Sequence, residues 1–138
     1  RKQSLTIKIP AGVSNGQTIK FAGQGEAGLR GGPNGDLYVK VKVQPHPRLK
    51  REGDDITSTA NISFRQAALG DKIKIETVDG PALLKIPPGT QSGQVIILRG
   101  KGVPKLRGYG RGNHLIEVKV TTPTKLTKEQ KEALEKLD

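Results

Sequence analysis

The chain contains no cysteine. That excludes a disulfide framework, a thiolate metal site and a cysteine nucleophile within it. It also fits a reducing compartment, and a cytoplasmic location is expected. Aromatic residues are scarce at 3%, confined to Phe21, Tyr38, Phe64 and Tyr109. They do not interleave along one basic strand, as the stacking platforms of single-strand nucleic-acid binders do. No apolar run approaches the roughly 18 residues that a membrane-spanning helix needs, so no membrane partner is expected. No signal peptide is visible, but residue 1 is Arg rather than Met. The chain therefore reads as a piece of a longer one, and a missing address carries little weight.

What is abundant is positive charge. The 138 residues carry 24 Lys and Arg against 13 Asp and Glu, a formal net charge of +11. Such a balance is the usual footprint of a nucleic-acid or acidic-partner surface. The cations are scattered, however, and often occupy alternate positions, as Lys40 and Lys42 or Lys72 and Lys74 do. That spacing places them on the solvent face of strands, where they also discourage edge-to-edge pairing. The solvated-face reading is preferred. A basic β-barrel module that binds RNA or another polyanion is the alternative.

The strongest internal signal is a repeat. Lys8-Ile9-Pro10-Ala11-Gly12-Val13-Ser14-Asn15-Gly16-Gln17 recurs as Lys85-Ile86-Pro87-Pro88-Gly89-Thr90-Gln91-Ser92-Gly93-Gln94. The match continues at one fixed offset through Leu29-Arg30-Gly31 and Leu106-Arg107-Gly108, and ends with Val41-Lys42-Val43 on Val118-Lys119-Val120. Two copies are too few for a solenoid and imply two tandem, homologous β-rich subdomains. In each, an alternating strand (Leu5, Ile7, Ile9; then Leu84, Ile86) leads to a Pro-Gly turn. A second strand (Ile19, Phe21; then Ile96, Leu98) leads through a glycine-rich loop to a third, Asp36–Val43 or His114–Val120. Between the copies lie a strand over Ile56–Ile62, a short helical stretch around Phe64–Leu69, a strand over Lys72–Val78 and a hairpin turn at Asp79-Gly80. Only the second copy has strands before its repeat, so the first subdomain is read as truncated at residue 1.

The C-terminus changes period. Thr127-Lys128-Glu129-Gln130 is a capping box, and Leu126, Gln130, Ala133, Leu134 and Leu137 fall along one helical stripe. A helix of about eleven residues is marginal alone in water and is expected to dock on its own sheet or on a partner chain. The fold class is thus mainly β: two tandem β-sandwich-like subdomains, over 1–48 and 49–123, followed by a short C-terminal α-helix in 124–138.

No catalytic constellation emerges. Gly23-Gln24-Gly25-Glu26-Ala27-Gly28 has dinucleotide-motif spacing, but the following Leu29-Arg30-Gly31-Gly32-Pro33 cannot start the required helix. His46, between two prolines, and His114, opening a strand, occupy non-equivalent positions with no carboxylate pattern of a metal site or triad. Nor does anything hold Asp54, Asp55 and Glu26 across a cleft, and Glu52-Gly53-Asp54-Asp55 reads as a turn. No enzyme activity and no cofactor are expected.

Several ordered runs carry a resemblance. They are Ile9-Pro10-Ala11-Gly12-Val13, Gly35-Asp36-Leu37-Tyr38-Val39, His46-Pro47-Arg48-Leu49-Lys50-Arg51-Glu52-Gly53-Asp54-Asp55, Ala67-Ala68-Leu69-Gly70, Leu84-Lys85-Ile86-Pro87-Pro88-Gly89-Thr90-Gln91 and Leu98-Arg99-Gly100-Lys101-Gly102-Val103-Pro104. Together they closely resemble the C-terminal region of the DnaJ (J-domain) co-chaperone family. The resemblance covers essentially the whole chain and implies two similar β-subdomains with a dimerisation helix. It further implies binding of unfolded client polypeptides, their delivery to a DnaK-type ATP-driven chaperone, and a homodimer. In the family the first subdomain holds the client as an added strand beside an apolar pocket. Carried over, the pocket positions are Leu5, Ile7, Val39 and, more weakly, Val41. Ordinary core packing is their competing reading. Val39 stands where relatives often carry an aromatic, which implies a shallower pocket. The dimer seam would use Leu126, Ala133, Leu134 and Leu137. In one class of the family a cysteine-rich zinc-binding module precedes this region; neither it nor the J-domain signature is present in these residues.

Overall fold

The computed structural model describes residues 6–23 and 35–138. The first copy of the repeat forms a two-stranded antiparallel sheet of β1 (Thr18–Phe21) and β2 (Leu37–Lys40), with Ile19 opposite Val39. The second copy is built into a larger unit. There, β3 (Lys50–Glu52), β4 (Asp55–Ser63), β8 (His114–Thr121) and β7 (Val95–Leu98) form one sheet in the order β3-β4-β8-β7. A second sheet pairs β5 (Asp71–Thr77) with β6 (Gly80–Ile86). Helix α1 (Phe64–Leu69) connects β4 to β5, and α2 (Lys128–Glu135) follows β8.

The core of the larger unit consists of Ala60 and Ile62 of β4, Ala67 of α1, Leu84 and Ile86 of β6, and Ile116 and Val118 of β8. Ile73, Ile75, Ile96, Leu98 and Val120 pack against it. These residues alternate along their strands with more exposed ones, polar on β4, β5 and most of β8 but apolar at Leu83, Val95 and Ile97, as two sheets facing each other across an apolar layer require. Lys40, Lys42, Lys72 and Lys74 are all exposed, which fits the solvated-face reading of the charge. At α1, the Ser63 hydroxyl accepts from the Gln66 amide at 3.1 Å while the Gln66 side chain accepts from the Ser63 amide at 2.9 Å. This capping box satisfies two N-terminal donors at once.

From the second glycine turn through the strand pair, the repeat is reproduced in its hydrogen bonds. The Gly16 amide donates to Val41 O and the Gly93 amide to Val118 O, both at 2.7 Å. Thr18 pairs with Lys40, and Val95 with Glu117. Gly12, Gly16 and Gly23 have φ of 88°, 83° and 72°, against 81°, 91° and 71° at Gly89, Gly93 and Gly100. Left-handed backbone at matching turns is what makes glycine necessary there.

The expected elements differ from the observed ones in five respects, the first being β3, a strand that the sequence reading does not contain. Residues 6–10 form no strand, although their counterpart is the C-terminal half of β6. β6 has β5 as its ladder partner, and no described strand plays that part for 6–10. Likewise β2 stops at Lys40 where β8 runs on, because β8 lies between β4 and β7 whereas β2 pairs only with β1. The β5–β6 turn is Val78-Asp79, one residue earlier than expected; the Thr77 hydroxyl donates to Gly80 O at 2.7 Å and accepts from the Asp79 amide at 3.2 Å. Helix α2 has eight residues rather than about eleven. The glycine-rich loop of the first copy, 24–34, lies outside the described residues.

Candidate functional site

A groove of about 1810 Å³ opens along one side of the second unit. Small-molecule pockets span roughly 300–1,000 Å³, so this space suits a polymer segment better than a metabolite. One wall is β5 from Ile73 to Thr77 with Val78 of the following turn; the opposite wall is β4 from Ile56 to Asn61, with Ile116 and Glu117 of β8 beside it. The end is closed by Ser14, Asn15 and Val43 of the first copy and by the segment from Gln44 to Arg51.

Both long walls offer unpaired backbone. β3 covers only Asp55–Thr57 of β4, so beyond that the edge of β4 opposite β8 has no strand beside it among the described residues. β5 pairs only with β6, and Thr77 opposite Gly80 closes a two-residue hairpin. The closing pair of such a hairpin exchanges hydrogen bonds, and bonded and non-bonded pairs then alternate. The pair Glu76–Pro81 must be non-bonded, since Pro81 has no N–H to give. It follows that Lys72, Lys74 and Glu76 direct their backbone N–H and C=O away from β6, into the free edge. Their side chains are exposed, whereas Ile73 and Ile75 point inward. The site is therefore a strand-length row of donors and acceptors beside apolar side chains.

The surrounding polar groups hold the walls in place. His46 caps its own turn, Nδ1 accepting from the Arg48 and Leu49 amides at 3.0 and 3.1 Å, and its Nε2 lies 3.4 Å from Glu76 Oε1 on β5. Arg111 reaches Asp79 Oδ2 at 2.8 Å and Gly102 O at 3.0 and 2.8 Å, tying the hairpin tip to the glycine loop. That hydrogen bond from Arg111 keeps the Asp79 carboxyl below its ordinary range. His114 is fully buried; its Nε2 bonds to Ser58 Oγ at 2.7 Å, its Nδ1 has no partner, and burial pushes its pKa down. Both histidines are thus engaged in hydrogen bonds within the fold. Among the described residues, no three His, Asp or Glu side chains gather at a spacing that could hold a metal ion.

The sequence-derived positions lie elsewhere. Val39 is half-buried on β2 opposite Ile19, Val41 is buried at 9% exposure just beyond it, and Ile7 is half-buried in an irregular segment. Leu5 lies outside the described residues. None of the three described ones lines the groove. The repeat offset gives no pointer to it beyond one residue: that offset carries Val39 onto Ile116, a groove residue, but Ile7 and Val41 onto Leu84 and Val118 of the core. Leu126 and Leu134 are half-buried and Ala133 and Leu137 exposed, Leu137 at 66%. No residue of α2 is buried.

The comparisons agree with this architecture. The family described as "DnaJ C terminal domain" matches residues 1–123. The chain is 52% identical over its full length to the chaperone protein DnaJ of Geobacillus thermodenitrificans, of which it covers 36%. Against the protein of the same name from Lactobacillus gasseri it is 54% identical over 97% of its length and 34% of the relative's. The chain thus spans about a third of the length of these curated relatives. Family match and identity together establish that it belongs to the DnaJ C-terminal domain family.

Proposed function

We propose that this chain is the client-holding part of a co-chaperone. It binds extended, apolar segments of non-native polypeptides without catalysing a reaction, and the longer protein passes them to a DnaK-type ATP-driven chaperone. The observation that carries this reading is the free edge of β5 opening into a groove large enough for a polypeptide strand. Main-chain hydrogen bonds to that edge tolerate many sequences, and an apolar floor of Ile73 and Ile75 selects apolar side chains. The positions carried over from the family resemblance, Leu5, Ile7, Val39 and Val41, serve as a separate client pocket on the first copy. The chaperone names of the relatives support the assignment. Helix α2 pairs with its equivalent in a second chain through Leu126, Ala133, Leu134 and Leu137, giving two arms around one client.

Fluorescence anisotropy of a labelled, apolar, extended peptide at low and moderate salt tests the reading. Binding that changes little with salt is the expected result. Salt-sensitive binding of an RNA oligomer with no peptide binding would overturn it in favour of a polyanion module, because phosphate contacts weaken steeply as salt rises.

A further inference from the structure

The turn Gly12–Ser14 of the first copy is held by the second unit. Its counterpart, Gly89-Thr90, is fixed within its own unit: both amides donate to Ala67 O of α1, at 2.8 and 3.0 Å. The first copy has no such helix among the described residues, and its turn is instead gripped through its carbonyls by Arg51 of β3. Arg51 Nη1 donates to Val13 O at 2.6 Å and Nη2 to Gly12 O at 2.7 Å, while Nε donates to Gly53 O at 2.7 Å. A rigid guanidinium with three groups so engaged fixes direction as well as distance, which a lysine cannot do. The other side of the turn is equally constrained. A Cβ on Gly12 would overlap Pro104 O and come within 2.9 Å of Leu106 N, whereas one on Gly89 would meet nothing within 4 Å.

The gripped turn also leads into the groove, since Ser14, Asn15 and Arg51 itself line it. We infer that Arg51 is a positioning residue that pins the first subdomain's turn onto the second, so that the turn closes one end of the client groove. The inference rests on the proposed client binding for its groove half only. The pinning stands or falls by geometry alone.

Because the chain has no cysteine, spin labels can be placed uniquely at Thr18→Cys on β1 and Lys119→Cys on β8, both exposed. The distance distribution between them, by pulsed electron paramagnetic resonance, reads the pinning in the full chain. Arg51→Lys retains the charge and loses the fork, and Gly12→Ala forces the turn off Pro104. Both should broaden a narrow distribution. Gly89→Ala carries a similar backbone strain, at φ of 81° against 88°, without the clash, and should leave it narrow. Circular dichroism confirms that each variant is folded. A narrow, unshifted distribution in folded Arg51→Lys overturns the pinning. In the same variants peptide affinity should fall about tenfold, equivalent to about 1.4 kcal/mol. Broadened distances with unchanged affinity overturn the groove half. Broadened distances with no peptide binding even in the parent chain uphold the pinning and reject client binding instead.

Discussion

Replacing Lys74 by proline removes one groove-facing N–H and little else. Lys74 lies opposite Leu83 in a non-bonded pair, so the β5–β6 ladder keeps all its hydrogen bonds. Its side chain is exposed, so no core packing is lost. Edge strands accept proline where the missing N–H faces outward. A backbone hydrogen bond is worth about 0.5–1.5 kcal/mol net, roughly a two- to thirteenfold change in affinity. The pyrrolidine ring adds a clash with an incoming strand. Lys74→Pro should therefore weaken binding of an extended apolar peptide about tenfold, the upper part of that range. Lys74→Ala retains the N–H and should stay within about twofold of the parent, separating the backbone effect from the loss of charge. Anisotropy titrations give the affinities, and thermal unfolding shows that the variants are folded. Parent-like affinity in a folded Lys74→Pro would refute strand addition at this edge.

Two further outcomes follow from burial and a third from the exposed face of α2. Because burial lowers the His114 pKa below its ordinary 6.5, the unfolded chain takes up that proton first as pH falls. Stability is then complete above the ordinary value and declines below it, by up to about 1.4 kcal/mol per pH unit. Urea unfolding at pH 7.5 and 5.5 should register the loss, and His114→Leu, matching Leu37 at the repeat position, should abolish it; an unchanged slope would count against the assignment. Ile86→Ala should cost about 2–5 kcal/mol, whereas Ile9→Ala at the same motif position should cost under about 1 kcal/mol, because Ile86 is 1% exposed and Ile9 47%; equal losses in denaturant unfolding would contradict that contrast. The Leu134→Asp, Leu137→Asp pair should halve the sedimenting mass at micromolar concentration, and an unchanged mass would refute the α2 seam.

The local elements were legible because their signals are local. Thr127–Gln130 caps α2 where its capping box implies, the helical stretch around Phe64–Leu69 is α1, and alternation located β4, β5, β7 and β8 within a residue or two. The groove was not legible. It depends on the short β3 leaving most of the β4 edge free, on the parallel pairing of β4 with β8, and on Pro81 fixing which N–H groups of β5 face outward. Residues separated by more than fifty positions meet behind its β4 wall, as Ser58 and His114 do at 2.7 Å. Arg51 looked like one of many scattered cations, and only its three carbonyl partners distinguish it.

By itself the sequence determined the β-rich class, the duplication, the left-handed glycine turns and the C-terminal helix. Each follows from periodicity, capping or steric permission within a few residues. Tertiary structure decided what the two copies do differently. Lys-Ile-Pro occurs in both, yet Ile86, paired to β5, is sealed in the core with Ala67, Ile62 and Val118 while Ile9 remains half open. Burial is a property of what packs against a residue, and identical motifs acquire different roles when only one of them is given a partner strand.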